Sequence, residues 1–229
     1  MCSSDLGNYL QRGAILYTVM ESARYFADRE LPPDENAVHA AVQRLRRERL
    51  PQATAEPPTT RNVHIILLES FWDPTPLRAG HYSRAPLPEE FRQLWKQAGN
   101  SSVLSPVFGG YTANAEFEAL CGFPVLKDAV KFERDLSNDV PCLPRILAEK
   151  GYTTIASHPN VPVFWNRVNA YRRLGFQTYW SLQDFEQRDM VREFMSDASL
   201  YQQVLAKLEP MLARGRPVLD YIVTYFGHW

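Results

Sequence analysis

Two neighbouring pieces of one stretch decide the fold: Val63-His64-Ile65-Ile66-Leu67-Leu68-Glu69-Ser70-Phe71-Trp72 and Phe108-Gly109-Gly110-Tyr111-Thr112-Ala113-Asn114-Ala115-Glu116-Phe117. The first opens with a short apolar run rich in β-branched residues. It closes on an acid and is followed by Pro74, the pattern of a buried strand. In open α/β sheets ligands sit beyond the carboxyl ends of the strands, so Glu69 is placed as a site residue. In the second piece a glycine pair permits close backbone approach, and Thr112 opens a helical pattern. A hydroxyl there lies where free N–H groups and the helix dipole favour anions. A strand-end carboxylate and a helix-start hydroxyl make half of a site for metal-assisted phosphoryl transfer.

Outward from this stretch, strand and helix patterns alternate. Helices are expected over about Leu87–Ala98, Thr112–Leu120, Leu143–Lys150 and Trp165–Leu174, with Gly151 and Gly175 as C-terminal stops. Asp197 is expected to cap another helix, reaching about Leu208. Strands are expected at Val63–Glu69, Tyr152–Ala156 and Val218–Tyr225. This alternation indicates an α/β fold, a mainly parallel sheet with helices on both faces. Before it, Tyr9–Phe26 has a helical period. Pro32-Pro33 stops it, and Asp34 caps a second helix to about Leu50. The arginines at 44, 46, 47 and 49 suit that helix's C-terminal end, and most such faces are simply solvated. Pro51–Thr60 reads as a linker, dividing the chain into 1–60 and 61–229. Met1–Leu6 has no period and is set aside as foreign to the gene.

The bulk numbers exclude some classes. With 229 residues, 45% of them hydrophobic, the chain can build one sizeable core. A formal net charge of −1 argues against a general nucleic-acid binder. No run approaches the roughly 18 apolar residues of a membrane helix. Three cysteines make no disulfide framework. Cys121 and Cys142 are read as small core or loop residues. Cys142-Leu143-Pro144-Arg145 approaches a sulfatase nucleophile motif, but its arginine comes one position early.

The segment Asn62–Trp72 resembles the first metal-binding strand of the lipoteichoic acid synthase family, within the alkaline phosphatase and sulfatase superfamily. Gly110–Phe117 resembles its nucleophile segment, with Thr112 in the nucleophile position. His158-Pro159-Asn160 and Phe164-Trp165-Asn166-Arg167 resemble its head-group segment. The resemblance implies Glu69 and Thr112 as metal ligands, with magnesium or manganese as the divalent ion and zinc as the alternative. It implies that His158, Asn160, Trp165 and Arg167 hold a phosphoglycerol head group, Arg through its planar fork and Trp as an apolar wall. It implies that His228 contacts the transferred phosphoryl group or protonates the leaving oxygen. Gly227 and Trp229 depart from the family's residues around that histidine, and some members carry Asp where Asn160 stands. Without the resemblance, Thr112 would be an ordinary N-cap, Glu69 a solvated strand end and His158 a loop residue. Asn114 is expected as a helix-surface amide and Glu116 as structural.

The activity so implied is transfer of phosphoglycerol, from a phosphatidylglycerol-like lipid to a glycan or glycerophosphate acceptor, through phospho-Thr112. The setting is the outer side of a bacterial cytoplasmic membrane, with a preceding helix bundle as the membrane anchor. The family's downstream Asp-His metal ligands have no counterpart before Trp229. The chain is therefore expected to be a truncated, inactive piece of that catalytic domain. The rivals are a phosphodiester or sulfate ester hydrolase of the same superfamily, and a metal-less binding or sensing domain.

Overall fold

A computed structural model describes residues 10, 13–27, 36, 39–40, 43–44, 60–77, 80–99, 104–105, 107, 110–125, 130–134 and 136–228. Two compact units are present, Met1–Thr60 and Arg61–Trp229. In the first, helix α1 spans Ala14–Ala27 and leaves Ile15, Leu16 and Val19 exposed. The expected start at Tyr9 and most of the expected helix from Asp34 to Leu50 lie outside the described residues. So do the first six residues and the linker up to residue 59.

The second unit is the α/β body. Its elements in chain order are β1 (Val63–Leu67), α2 (Glu89–Gln97), α3 (Thr112–Cys121), the single turn α4 (Lys131–Arg134), α5 (Leu143–Glu149), β2 (Thr153–Ser157), α6 (Arg167–Leu174), β3 (Thr178–Trp180), the hairpin β4 (Met190–Val191) and β5 (Phe194–Met195), α7 (Asp197–Leu212) and β6 (Val218–Val223). Among the described residues the main sheet has the order β1-β6-β2-β3, and every pairing in it is parallel. The last strand thus inserts between the first two.

Both faces of the sheet are covered, and β6 shows why its sequence runs apolar almost without interruption. Leu219, Tyr221 and Val223 join the core formed with α3, α5 and α6. Val218 and Ile222 join the core formed with α7. All six β6 residues are buried, the signature of a central parallel strand. Burying each large apolar side chain contributes about 1.5–3 kcal/mol. β2 divides likewise, with Ile155 toward α7 and Ala156 toward the other face.

Several expectations need correction. β1 ends at Leu67 and β6 at Val223, so Glu69 and His228 sit in the turns beyond. The cap of α7 is Ser196, whose hydroxyl accepts from the Ser199 N–H; Asp197 is the first helical residue. Asn114 is buried and not on the helix surface; its side-chain oxygen accepts from the Lys131 N–H at 2.9 Å. Cys121 and Cys142 form a disulfide between the last residue of α3 and the cap of α5. They are 21 apart in sequence and become neighbours only once those helices pack.

Candidate functional site

Three adjacent strands deliver three site segments to one edge. Beyond β1 comes Glu69, beyond β6 comes His228, and beyond β2 comes His158. This is the carboxyl edge where open parallel sheets bind ligands. The turns are tied together by hydrogen bonds. The Thr224 N–H donates to the Leu67 carbonyl at 3.0 Å, and the Glu69 N–H donates to the Thr224 hydroxyl at 2.9 Å. A Cβ at Gly227 would lie 2.6 Å from the Glu69 carbonyl oxygen, so the His228 turn crosses the Glu69 backbone at a distance that glycine alone permits. Sequence reading missed Thr224 and the close approach at Gly227. The signal for both lies in pairing across the sheet, which no local pattern carries.

Thr112 meets Glu69 across this edge. Its hydroxyl donates to Glu69 Oε1 at 2.8 Å. The N-cap position belongs to Tyr111, and among the described residues no side chain caps this helix. Thr112 therefore spends its hydroxyl on the carboxylate and not on its own helix. Burial pushes the Glu69 carboxyl above its ordinary value, against the hydrogen bond from Thr112 and the charges of His228 and Arg167.

Arg167 opens α6 and is 1% exposed. Its Nη2 donates to Glu116 at 2.5 Å, and its Nε donates to the Tyr171 hydroxyl at 3.2 Å. Tyr171 in turn donates to the other Glu116 oxygen at 2.6 Å. Among the described residues Arg167 Nη1 has no hydrogen-bond partner. Burial opposes the guanidinium charge, but Glu116 and Tyr171 more than offset it, so its pKa is raised. The guanidinium carbon lies 5.4 Å from the Trp165 ring centre and 5.7 Å from that of Phe164, which stack on each other.

His158 is buried, and its Nδ1 lies 3.1 Å from the Val223 carbonyl. A carbonyl only accepts, so Nδ1 carries the proton. Burial, the charge of Arg167 and that of His228 hold this imidazole well below its ordinary pKa, against the Val223 bond. The ring is neutral near pH 7, which leaves Nε2 as an acceptor. Asn160 spends its side-chain oxygen on the Val161 N–H at 2.7 Å, so Nδ2 is the donor it can offer. His228 lies against Phe194 of the hairpin and Tyr225, with ring centres 6.0 and 5.5 Å away.

Backbone strain gathers at the same place. Among the described residues six non-glycine positions have positive φ. Three of them, Ser70, Tyr111 and Asn166, are sequence neighbours of Glu69, Thr112 and Arg167, and Trp165 is one position further from Arg167. Each costs on the order of 1 kcal/mol, and such residues concentrate at functional sites.

For a cation, the donor set is Glu69 Oε1 and Thr112 Oγ1. Two adjacent oxygens suit a hard divalent ion and fit as part of its shell. Among the described residues no group of three His, Cys, Asp or Glu converges to complete one.

The parallel α/β sheet thus carries a carboxylate and a hydroxyl at its carboxyl edge, with a buried arginine at the start of α6. The sulfatase family model matches residues 61–229, and the chain belongs to that family. A Rhizobium meliloti (strain 1021) protein named for cyclic β-1,2-glucan modification is 34% identical over 170 residues, covering 73% of this chain and 25% of its own length. The chain thus spans about a quarter of that curated relative. The lipoteichoic acid synthase LtaP from Listeria monocytogenes superposes with a TM-score of 0.64 at 21% identity, over 74% of this chain and 41% of the other. The Streptococcus pyogenes phosphoglycerol transferase GacH, solved with sn-glycerol-1-phosphate, gives 0.58 at 23%, over 74% and 45%. The fold is thus that of the alkaline phosphatase superfamily, with synthase and phosphoglycerol transferase structures among its neighbours.

Proposed function

We propose that the whole protein transfers phosphoglycerol from an anionic phospholipid to a glycan or glycerophosphate acceptor, with Thr112 as nucleophile. The observation that carries this reading is the Thr112 hydroxyl directed at Glu69 and not at its own helix. Family membership and the GacH complex with sn-glycerol-1-phosphate support phosphoglycerol as the group moved.

Thr112 Oγ1 attacks phosphorus, and the bond from phosphorus to the lipid glycerol oxygen breaks. The hydroxyl proton has its acceptor in the Glu69 carboxylate, against which the hydroxyl already lies. The departing oxygen takes a proton from His228 and leaves as diacylglycerol. An acceptor hydroxyl then attacks phosphorus and gives its proton to His228, while the bond from phosphorus to Thr112 Oγ1 breaks and that oxygen takes its proton back from Glu69. Arg167 balances charge on the phosphate oxygens, with Trp165 walling the head group. His158 Nε2 accepts from a glycerol hydroxyl, and Asn160 Nδ2 donates to a glycerol oxygen. A divalent ion on Glu69 and Thr112, magnesium or manganese before zinc, supplies a lowered hydroxyl pKa when bound.

The Cys121–Cys142 disulfide supports placing this domain on the oxidising, outer side of a bacterial membrane. Among the described residues no helix is long and apolar enough to cross that membrane. The test is diacylglycerol release from headgroup-labelled phosphatidylglycerol vesicles, with mass spectrometry of the Thr112 peptide. Wild type should carry a phosphoglycerol adduct, and Thr112→Ala should lose turnover by several orders of magnitude. Near wild-type turnover in Thr112→Ala overturns the reading. Free glycerol phosphate as the sole product identifies a hydrolase instead.

A further inference from the structure

We propose that Glu116 and Tyr171 are positioning residues for Arg167, presenting its Nη1 to the substrate's anionic group. This rests on the transfer reading above, and it assigns work to two residues that touch no substrate.

Glu116 and Tyr171 are both 0% exposed. They hold Nη2 and Nε of Arg167 and are bonded to each other, closing a ring of three hydrogen bonds. A guanidinium so held cannot rotate, and Nη1 is left as its uncommitted donor. An unsatisfied buried donor is costly to the fold. A buried ion pair is also a poor device for stability, since apolar groups of similar volume commonly do as well. The arrangement gains its use when an oxyanion arrives to take the free N–H.

Sequence spacing explains how the ring is built. Glu116 follows Thr112 by four on α3, and Tyr171 follows Arg167 by four on α6. Residues so spaced share a helix face. The helix that presents the nucleophile therefore also holds the arginine, and the ring sets the separation of nucleophile and anion site. Burial and the Glu116 charge keep Tyr171 protonated, raising its pKa well above the ordinary value, so its donor role persists at any working pH.

The experiment uses the whole protein and sn-glycerol-1-phosphate as probe, with dissociation constants from calorimetry and an unfolding curve for each variant. Glu116→Gln should weaken binding about tenfold, the loss of one charge-assisted constraint. Tyr171→Phe should weaken it by a smaller factor, and it removes a single hydroxyl, so it carries the test if Glu116→Gln does not fold. The decisive arm is Arg167→Lys combined with Glu116→Gln. A residue acting through the guanidinium loses its effect once that group is gone, so the double variant should bind like Arg167→Lys alone. A structural role would instead weaken both backgrounds equally. Equal loss in both backgrounds overturns the proposal, as does binding within about twofold of wild type by folded single variants. Wild type that fails to bind the probe overturns the transfer reading and this proposal together; wild type that binds beside indifferent variants overturns the positioning role alone.

Discussion

Reducing the Cys121–Cys142 disulfide should cost the fold about 3 kcal/mol, the chain-entropy value for a closed loop of this length. The bond closes 21 residues of sequence separation that include α4. Open, those residues regain freedom in the unfolded chain, while the folded chain keeps its packing. Cys142 is 0% exposed, so reduction leaves a thiol in an apolar core, which cysteine tolerates well. The native state therefore changes little and the unfolded state changes most. The assay is urea unfolding followed by circular dichroism, with and without a phosphine reductant, and with Cys121→Ala/Cys142→Ala as control. Free energies must be compared and not midpoints, because a cross-linked unfolded chain exposes less surface and lowers the slope. A difference below about 1 kcal/mol would refute the reasoning, showing that the unfolded chain is already restrained across this segment.

Two further outcomes follow from the site. His158 is neutral in the fold, while the unfolded chain takes up a proton near the ordinary value of 6.5. Between the two values the unfolded state binds the extra proton, so stability rises with pH there. The contribution is complete above 6.5 and is lost as pH falls toward the depressed folded value. The loss approaches about 1.4 kcal/mol per pH unit. His158→Gln should remove this slope from unfolding measured between pH 7 and 5, and an unchanged slope would show that His158 titrates freely. Gly227→Ala puts a Cβ 2.6 Å from the Glu69 carbonyl oxygen, so one backbone must yield. A destabilisation of about 1–3 kcal/mol is expected in thermal unfolding, and a value within about 0.5 kcal/mol would mean the turn is loose.

The longer strands and helices after residue 61 were legible because each writes a local period. Val63–Leu67 and Val218–Val223 are apolar runs bounded by turn residues, and Gly151 and Gly175 sit at positive φ where helices end. The meeting of Glu69 and Thr112 was expected from motif and position together, and the fold brings them within a hydrogen bond. What could not be read depends on distant pairing. Glu116 looks like an ordinary helix acid until Arg167, 51 residues later, packs against it. Cys121 and Cys142 look like separate small residues until α3 and α5 align them. β3 and the β4–β5 hairpin have three and two residues per strand, too few to show an alternation. The same limit hid Thr224, a plain strand-end threonine whose importance lies in the Glu69 N–H it accepts.

The helix α3 shows how these distant pairings become a site. A buried helix ordinarily holds its place through apolar packing, and Ala113, Phe117 and Leu120 do pack. Its polar residues and Cys121 each reach a different partner. Thr112 bonds Glu69, Asn114 accepts from the Lys131 N–H, and Glu116 holds Arg167 and Tyr171. Glu118 accepts from the Val125 N–H, and Cys121 is tied to Cys142. Apolar packing is non-directional and tolerates sliding, whereas hydrogen bonds fail outside a narrow range of length and angle. A helix held along its length by directed bonds has little freedom to rotate or translate. That rigidity would serve the nucleophile role proposed for Thr112, because misplacing a reacting atom by about 1 Å can cost a hundredfold in rate. The buried Asn114 and Glu116 on α3, which look costly one at a time, join the other directed bonds in fixing the position of Thr112.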